Sequence, residues 1–171
     1  MAEWSYTMEI YILRHGLAAE ATRGMKDPDR ALTAEGVTKL QTVLRRARAA
    51  GVEPSIILTS PYRRARETAE IAAKSLSGKS TLVQTAALTP EGSPELVWEE
   101  IRTHKAASQL MVVGHQPLLS AVYAHLLGAP SAQIDVKKGG LGRVDVDRFN
   151  GQPRGVLRWL LYPKLVGESP S

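Results

Sequence analysis

Arg14-His15-Gly16, Ser60-Pro61-Tyr62-Arg63-Arg64 and Gly114-His115-Gln116-Pro117 are three short polar signals, each set directly behind an apolar run. An arginine offers a planar fork that matches phosphate oxygens two at a time. A histidine changes charge near neutral pH and can act as nucleophile or proton donor. Gly16 lets the backbone come close to a neighbour with no Cβ in the way. Any one of these signals fits a buried structural histidine or a solvated arginine. Three of them behind three separate apolar runs point to one shared anion site.

The elements that must carry these residues follow from the hydrophobic pattern. Met8 to Leu13, Ser55 to Thr59 and Leu110 to Val113 read as buried strands, because they are short, apolar and rich in branched residues. Thr33 caps a helix to about Ala50, with Val37, Leu40, Leu44 and Ala47 forming one apolar stripe and Gly51 as the stop. Ser60 as N-cap and Pro61 at the first helical position start a second helix that runs to about Leu76. A weaker strand at Thr81 to Gln84 is followed by helices from about Pro94 to Thr103 and from Pro117 to Leu127. Leu141 to Val146 and Val156 to Leu161 read as hairpin partners across Asn150-Gly151. Strands alternating with helices predict an α/β fold, a three-layer α/β/α sandwich around a mainly parallel sheet. Ligands bind beyond the carboxyl ends of such strands, so the three signals face one edge. Helix starts at Pro61 and Pro117 would add their positive ends there.

At 171 residues the chain fits a single domain, with residues 1–7 as a possible arm and 167–171 as a possible frayed tail. Cysteine is absent, which excludes disulfides, thiolate metal sites and thiol catalysis. The N-terminus lacks the pattern of a signal peptide. The longest uncharged stretch, Ala106 to Ile134, is broken by Gly114, His115, Gln116, Pro117 and His125, so no membrane span is expected. The cytoplasm is the default location. A net charge of +5 and a pI near 9.6 raise nucleic acid as a ligand, but the basic residues are scattered and one Phe is present to stack bases. A mild attraction for anionic substrates or acidic protein surfaces fits better. No Walker loop or dinucleotide fingerprint occurs, and the histidines lack metal-site spacing. His104 and His125 read as ordinary surface or helix-end residues.

Leu13-Arg14-His15-Gly16, Leu32-Thr33 before a helix, Thr59-Ser-Pro-Tyr-Arg-Arg-Ala-Arg-Glu-Thr-Ala69 and Val113-Gly-His-Gln-Pro117 resemble, in that order, the histidine phosphatase superfamily with its phosphoglycerate mutase-like fold. The match runs from about Met8 to Val146. The short length, without a large cap insertion, is similar to the SixA-type phosphohistidine phosphatase branch, as are Leu88-Thr-Pro-Glu-Gly and Val136-Lys-Lys-Gly-Gly. The resemblance implies His15 as the phosphate-accepting nucleophile, Arg14 and Arg64 as phosphate clamps beside Gly16, and His115 as the second pocket histidine. Arg30 resembles a peripheral phosphate-loop arginine, although Ala31 replaces the usual proline. Leu17 stands where an acid often follows the glycine, and Glu67 replaces a common glutamine.

The resemblance also implies a phosphatase that needs no metal or other cofactor and works through a phosphohistidine intermediate, releasing inorganic phosphate. Neutral His15 would attack phosphorus while Arg14, Arg64 and His115 offset the charge. Ester hydrolysis calls for an acid to protonate the leaving alkoxide, and Glu91 is the nearby loop candidate, equally readable as a solvated carboxylate. A phosphoramidate needs less help, which tilts the expected substrate toward phosphohistidine on a protein. The alternatives are a phosphatase of small phosphate esters on the same fold, a non-catalytic phosphoprotein-binding module, and a nucleic-acid binder.

Overall fold

The computed structural model describes residues 8–147 and 149–167. The possible arm at 1–7 and all of the tail after Gly167 lie outside the described residues. Six strands form one sheet: β1 (Met8–Arg14), β2 (Ile56–Thr59), β3 (Thr81–Gln84), β4 (Gln109–Gly114), β5 (Leu141–Val146) and β6 (Gly155–Leu161). Their order is β3-β2-β4-β1-β5-β6. The first four run parallel, and β5 and β6 add an antiparallel hairpin at the β1 side. The α/β reading and the mainly parallel sheet therefore match, with the hairpin joined by a longer loop than Asn150-Gly151 alone, since Val146 pairs with Gly155.

Strands β1, β2 and β4 are largely apolar without alternation because both of their faces are covered. In β1, Ile10 and Ile12 belong to the core beneath α3 (Pro94–Thr103) and α4 (Leu118–Leu126), together with Trp98, Leu119 and Tyr123. Tyr11 and Leu13 belong to the opposite core, beneath α1 (Ala34–Ala49) and α2 (Arg63–Leu76), with Leu40, Leu44, Ala69 and Leu76. Two helices on each face make the three layers. A last turn, α5 (Pro163–Val166), packs beside α1. Among the described residues, no helix is long and apolar enough to cross a membrane.

Helix α1 begins as the sequence predicts: the Thr33 hydroxyl accepts the Gly36 N–H at 2.9 Å. Helix α2 does not. It starts at Arg63, with Tyr62 as the N-cap residue and no side-chain cap. The Ser60 hydroxyl is committed elsewhere, accepting the Tyr62 N–H at 3.2 Å and meeting His115 Nε2 at 2.8 Å. Ser60-Pro61 therefore forms a local hydroxyl turn ahead of the helix, and Arg64 sits in the helix's first turn. Likewise α4 begins at Leu118, with Pro117 as its N-cap residue.

Gly36 is the contact on which the site-side loop rests. Thr33 donates its N–H to the Leu17 carbonyl at 2.9 Å, and Ala18 bridges Leu32. A Cβ at Gly36 would lie 2.3 Å from that same Leu17 oxygen. Gly36→Ala must displace the chain just after His15, with a stability loss of about 1–3 kcal/mol from overpacking. Thermal unfolding of the variant should show a lowered midpoint while secondary structure by circular dichroism stays unchanged.

Candidate active site

Arg14 is the last residue of β1 and pairs in register with Gly114, the last residue of β4. The next residues, His15 and His115, are thereby set side by side, and the His15 N–H donates to the Gly114 carbonyl at 3.1 Å. Ser60 follows β2, its N–H bonded to the Val113 carbonyl at 3.0 Å. Three strand ends and the first turn of α2 therefore bring Arg14, His15, Arg64 and His115 to one edge of the sheet, the edge predicted to carry the anion site.

His15 and His115 are 6% and 2% exposed, and their ring centroids are 5.0 Å apart. His15 Nδ1 lies 2.8 Å from the Gly16 carbonyl. A carbonyl can only accept, so Nδ1 carries the proton. Nε2 then keeps its lone pair, and it accepts from Arg64 Nε at 3.3 Å. Burial pushes His15 down to about 3, aided by the neighbouring His115, Arg64 and Arg14. His115 is pushed down to about 4, again mainly by burial and then by Arg64. Both rings are neutral at physiological pH.

The arginines are held from behind. Arg14 Nη1 donates to the Val136 carbonyl at 2.8 Å, while its Nε is buried without a hydrogen-bond partner. His115 Nδ1 is likewise buried and without one. Unsatisfied donors of this kind are costly unless a ligand completes them. Arg64 is 5% exposed and donates from Nη1 and Nη2 to the Asp27 backbone and carboxylate oxygens at 2.9 and 3.0 Å. Tyr62 closes one side, its ring 5.1 Å from His115 in an edge-on contact and 5.1 Å from the Arg64 guanidinium carbon.

Gly16 serves through its backbone. Its carbonyl fixes the His15 ring, and its N–H donates to Thr68 Oγ1 at 3.1 Å. A Cβ there would press on the Gly36 carbonyl and Leu32 at 3.3 Å each, so the residue is small because α1 is close. Arg30 stands one layer out: it donates to the Ala19 carbonyl and, at 2.9 Å, to Asp27 Oδ1, meeting Arg64 only through that carboxylate. Glu91 is exposed and reaches the Tyr62 hydroxyl at 3.5 Å, so its link to His115 runs through the tyrosine. Glu67, the departure noted in α2, accepts the Leu32 N–H at 2.7 Å and pairs with Arg63. His104 and His125 lie at the C-cap of α3 and in the last turn of α4, as ordinary helix-end residues.

Asp27, Ser60, Tyr62, Thr68 and Val136 complete the site and were not singled out from sequence as site residues. Asp27 is the telling omission. It is 37 residues from Arg64 in the chain, and a lone acid in a polar loop carries no sequence signal of that pairing. Its carboxylate is held below the usual range, first by the Arg30 hydrogen bond and then by Arg64.

The model of the histidine phosphatase superfamily (branch 1) matches residues 10–89. Phosphohistidine phosphatase SixA of Escherichia coli (strain K12) is 30% identical over 158 residues, covering 91% of this chain and 94% of that protein. This chain belongs to the histidine phosphatase superfamily. Within it the chain is SixA-like: the solved structure of the protein histidine phosphatase SixA complexed with tungstate superposes with a TM-score of 0.84 at 25% identity, covering 94% of this chain and all of that one. The alpha-ribazole phosphatase from Shigella flexneri shares the fold, with a TM-score of 0.70 at 17% identity over 91% of this chain and 97% of that chain. The phosphoglycerate mutase-like architecture expected from sequence is thereby shown.

Two outcomes follow from the site's charges. Asp27→Asn removes the anion that shares Arg64 and Arg30 with any incoming phosphate. A unit charge at such distance from a solvent-facing site is worth about 1 kcal/mol, so inhibition by inorganic phosphate should strengthen roughly fivefold, measured as its inhibition constant. The second concerns acid. Unfolded, each imidazole takes up a proton near its ordinary value of 6.5; folded, His15 resists until about 3 and His115 until about 4. The unfolded chain binds more protons in that window, so stability present above pH 6.5 is lost as the pH falls. Unfolding midpoints should drop from pH 7 to pH 4.5, and drop less steeply in His15→Asn.

Proposed function

We propose that the protein is a phosphatase that works through a phosphohistidine on His15 and removes phosphate from phosphohistidine on a partner protein. The observation that carries the first half is the orientation of His15: Nδ1 tied to the Gly16 carbonyl, Nε2 unprotonated with its lone pair turned to Arg64 Nε, at a long 3.3 Å that an incoming phosphoryl group can displace. In this reading Nε2 attacks phosphorus in line while the bond from phosphorus to the substrate nitrogen breaks. Arg14 Nε, Arg64 and His115 Nδ1 supply donors to the equatorial oxygens, preorganised because the backbone and Asp27 already fix them. Ser60 is a positioning residue here. Its oxygen takes the Tyr62 N–H and its own proton can point to His115 Nε2, which leaves Nδ1 as the protonated, donating nitrogen. Water then cleaves the phosphohistidine, releasing inorganic phosphate and restoring neutral His15.

The choice of leaving group rests on what surrounds the two rings. Among the described residues no carboxyl group bonds either histidine, and Asp27, the carboxylate bonded to Arg64, is held ionised by Arg30 and Arg64. An ionised, doubly paired carboxylate is a poor proton donor. An alkoxide would leave unassisted, whereas the substrate imidazole leaves neutral once its other ring nitrogen has taken a proton from solvent, and a proton returns to solvent when water cleaves the phosphohistidine on His15. The SixA relatives, named as phosphohistidine and protein histidine phosphatases, support the same substrate.

A second reading, hydrolysis of small phosphate esters, draws on the Glu91–Tyr62 contact and on the edge-on packing of Tyr62 against His115. One set of assays separates the two. Wild-type enzyme should release phosphate from a phosphohistidine peptide much faster than from p-nitrophenyl phosphate or sugar phosphates, and rapid quench should trap acid-labile, base-stable phosphate on the protein. His15→Ala should lose at least a thousandfold in turnover and the trapped label with it, whereas Glu91→Gln should stay within a few-fold on the peptide. Near-normal turnover by His15→Ala overturns the nucleophile assignment, and a hundredfold loss by Glu91→Gln on esters favours the second reading.

A further inference from the structure

Beside the pocket, and sharing the wall made by Gly16, a cleft of about 720 Å³ opens between the start of α1, the loop before β5 and the turn α5. Its wall is fastened to the catalytic edge. The Gly139 N–H bonds both the Arg14 and His15 carbonyls at 3.1 Å, and Val136 in the same loop anchors the Arg14 guanidinium. Lys137 and Lys138 therefore ride on the loop that seats Arg14. Lys39 and Lys164 face them from α1 and α5. Four lysines line the cleft, and no aspartate or glutamate does so among the described residues. Lys39 and Lys137 have partners just outside, Glu35 and Asp135, in exposed pairs of little strength. Lys138 and Lys164 are exposed and have no ion pair among the described residues.

The floor is apolar. Leu17, Tyr162 and Pro163 belong to the lining, as does Leu165, at 74% the most exposed of the chain's large apolar side chains among the described residues. A phosphate-rich ligand is best met by arginine forks and clustered backbone donors. Lysine point charges spaced around an apolar floor suit instead carboxylates spread along a chain that also carries an apolar side chain. Complementary charge of this kind sets encounter and orientation of a protein partner more than raw affinity.

We propose that this cleft is a docking surface for an acidic, leucine-bearing segment of the phosphorylated partner protein, next to the phosphorylated side chain that enters the pocket. The proposal rests on the reading of the substrate as a phosphorylated protein. It makes Lys138 and Lys164 specificity residues that touch the partner's flank and not the phosphoryl group.

The test uses two synthetic phosphohistidine peptides that differ only in flank, one bearing Asp, Glu and Leu and the other Lys, Ser and Ala. Wild-type enzyme should show a KM at least tenfold lower for the acidic peptide at low salt. The double variant Lys138→Glu/Lys164→Glu should lose that preference, with kcat on both peptides and turnover of p-nitrophenyl phosphate within twofold of wild type. A wild-type enzyme without preference, or a preference that survives the double substitution, overturns the proposal. Should neither peptide be hydrolysed while p-nitrophenyl phosphate is, the substrate reading fails, and fluorescence anisotropy of the unphosphorylated acidic peptide decides the cleft by itself. Binding by wild type that drops at least tenfold in the double variant upholds the docking surface. Absent or unchanged binding overturns it, as does a concentration-dependent dimer dissolved by the same substitutions, which would give the cleft to a second copy of this chain.

Discussion

A histidine kept uncharged beside two arginine guanidiniums is the condition on which this structure turns. Burial alone disfavours the imidazolium, and Arg14, Arg64 and His115 at close range disfavour it further. The result is a lone pair available at neutral pH, in a place where an anion finds partners waiting. The Gly16 carbonyl decides which nitrogen holds that lone pair. The same donors would be unfavourable without a ligand, and the unpartnered Arg14 Nε and His115 Nδ1 mark where that cost is stored.

The sheet makes this convergence possible. Parallel neighbours β1 and β4 end in register, so residues 15 and 115 must lie beside each other, and β2 on the far side of β4 brings Ser60 to His115. Because both faces are sealed by helices, the carboxyl edge is where polar side chains can gather without breaking a core. Asp27 then tempers the arginines. Its carboxylate holds Arg64 and Arg30 together across an exposed loop.

Much of this was legible in the sequence for a plain reason: strands buried on both sides must be continuously apolar, and a polar signal right behind each one can only land at the edge. That logic brought Arg14, His15, His115 and the Arg63-Arg64 pair to one edge, and the family resemblance singled out Arg64. It failed where a side chain had two possible partners. Ser60-Pro61 has every mark of a helix start, yet the Ser60 hydroxyl meets His115 instead, and α2 begins three residues later. The Ser60–His115 pairing joins residues 55 apart in the chain, which local pattern does not encode. Arg30, expected as a peripheral phosphate-loop arginine, pairs with Asp27 three residues away. The roles of Val136 and Thr68, a backbone carbonyl and a shared hydroxyl, do not show in residue type.

Two neighbouring side chains of α2 hold the beginning and the end of one loop: Thr68 takes the amide of Gly16, and Glu67 takes that of Leu32. With both ends moored to a single rigid helix, the intervening span behaves as a closed ring whose circumference can vary at small entropic expense, since closure grows only with the logarithm of length. Insertions or deletions there could recontour the mouth of the enzyme, admitting bulkier or smaller phosphorylated groups, while the nucleophile beneath stays undisturbed.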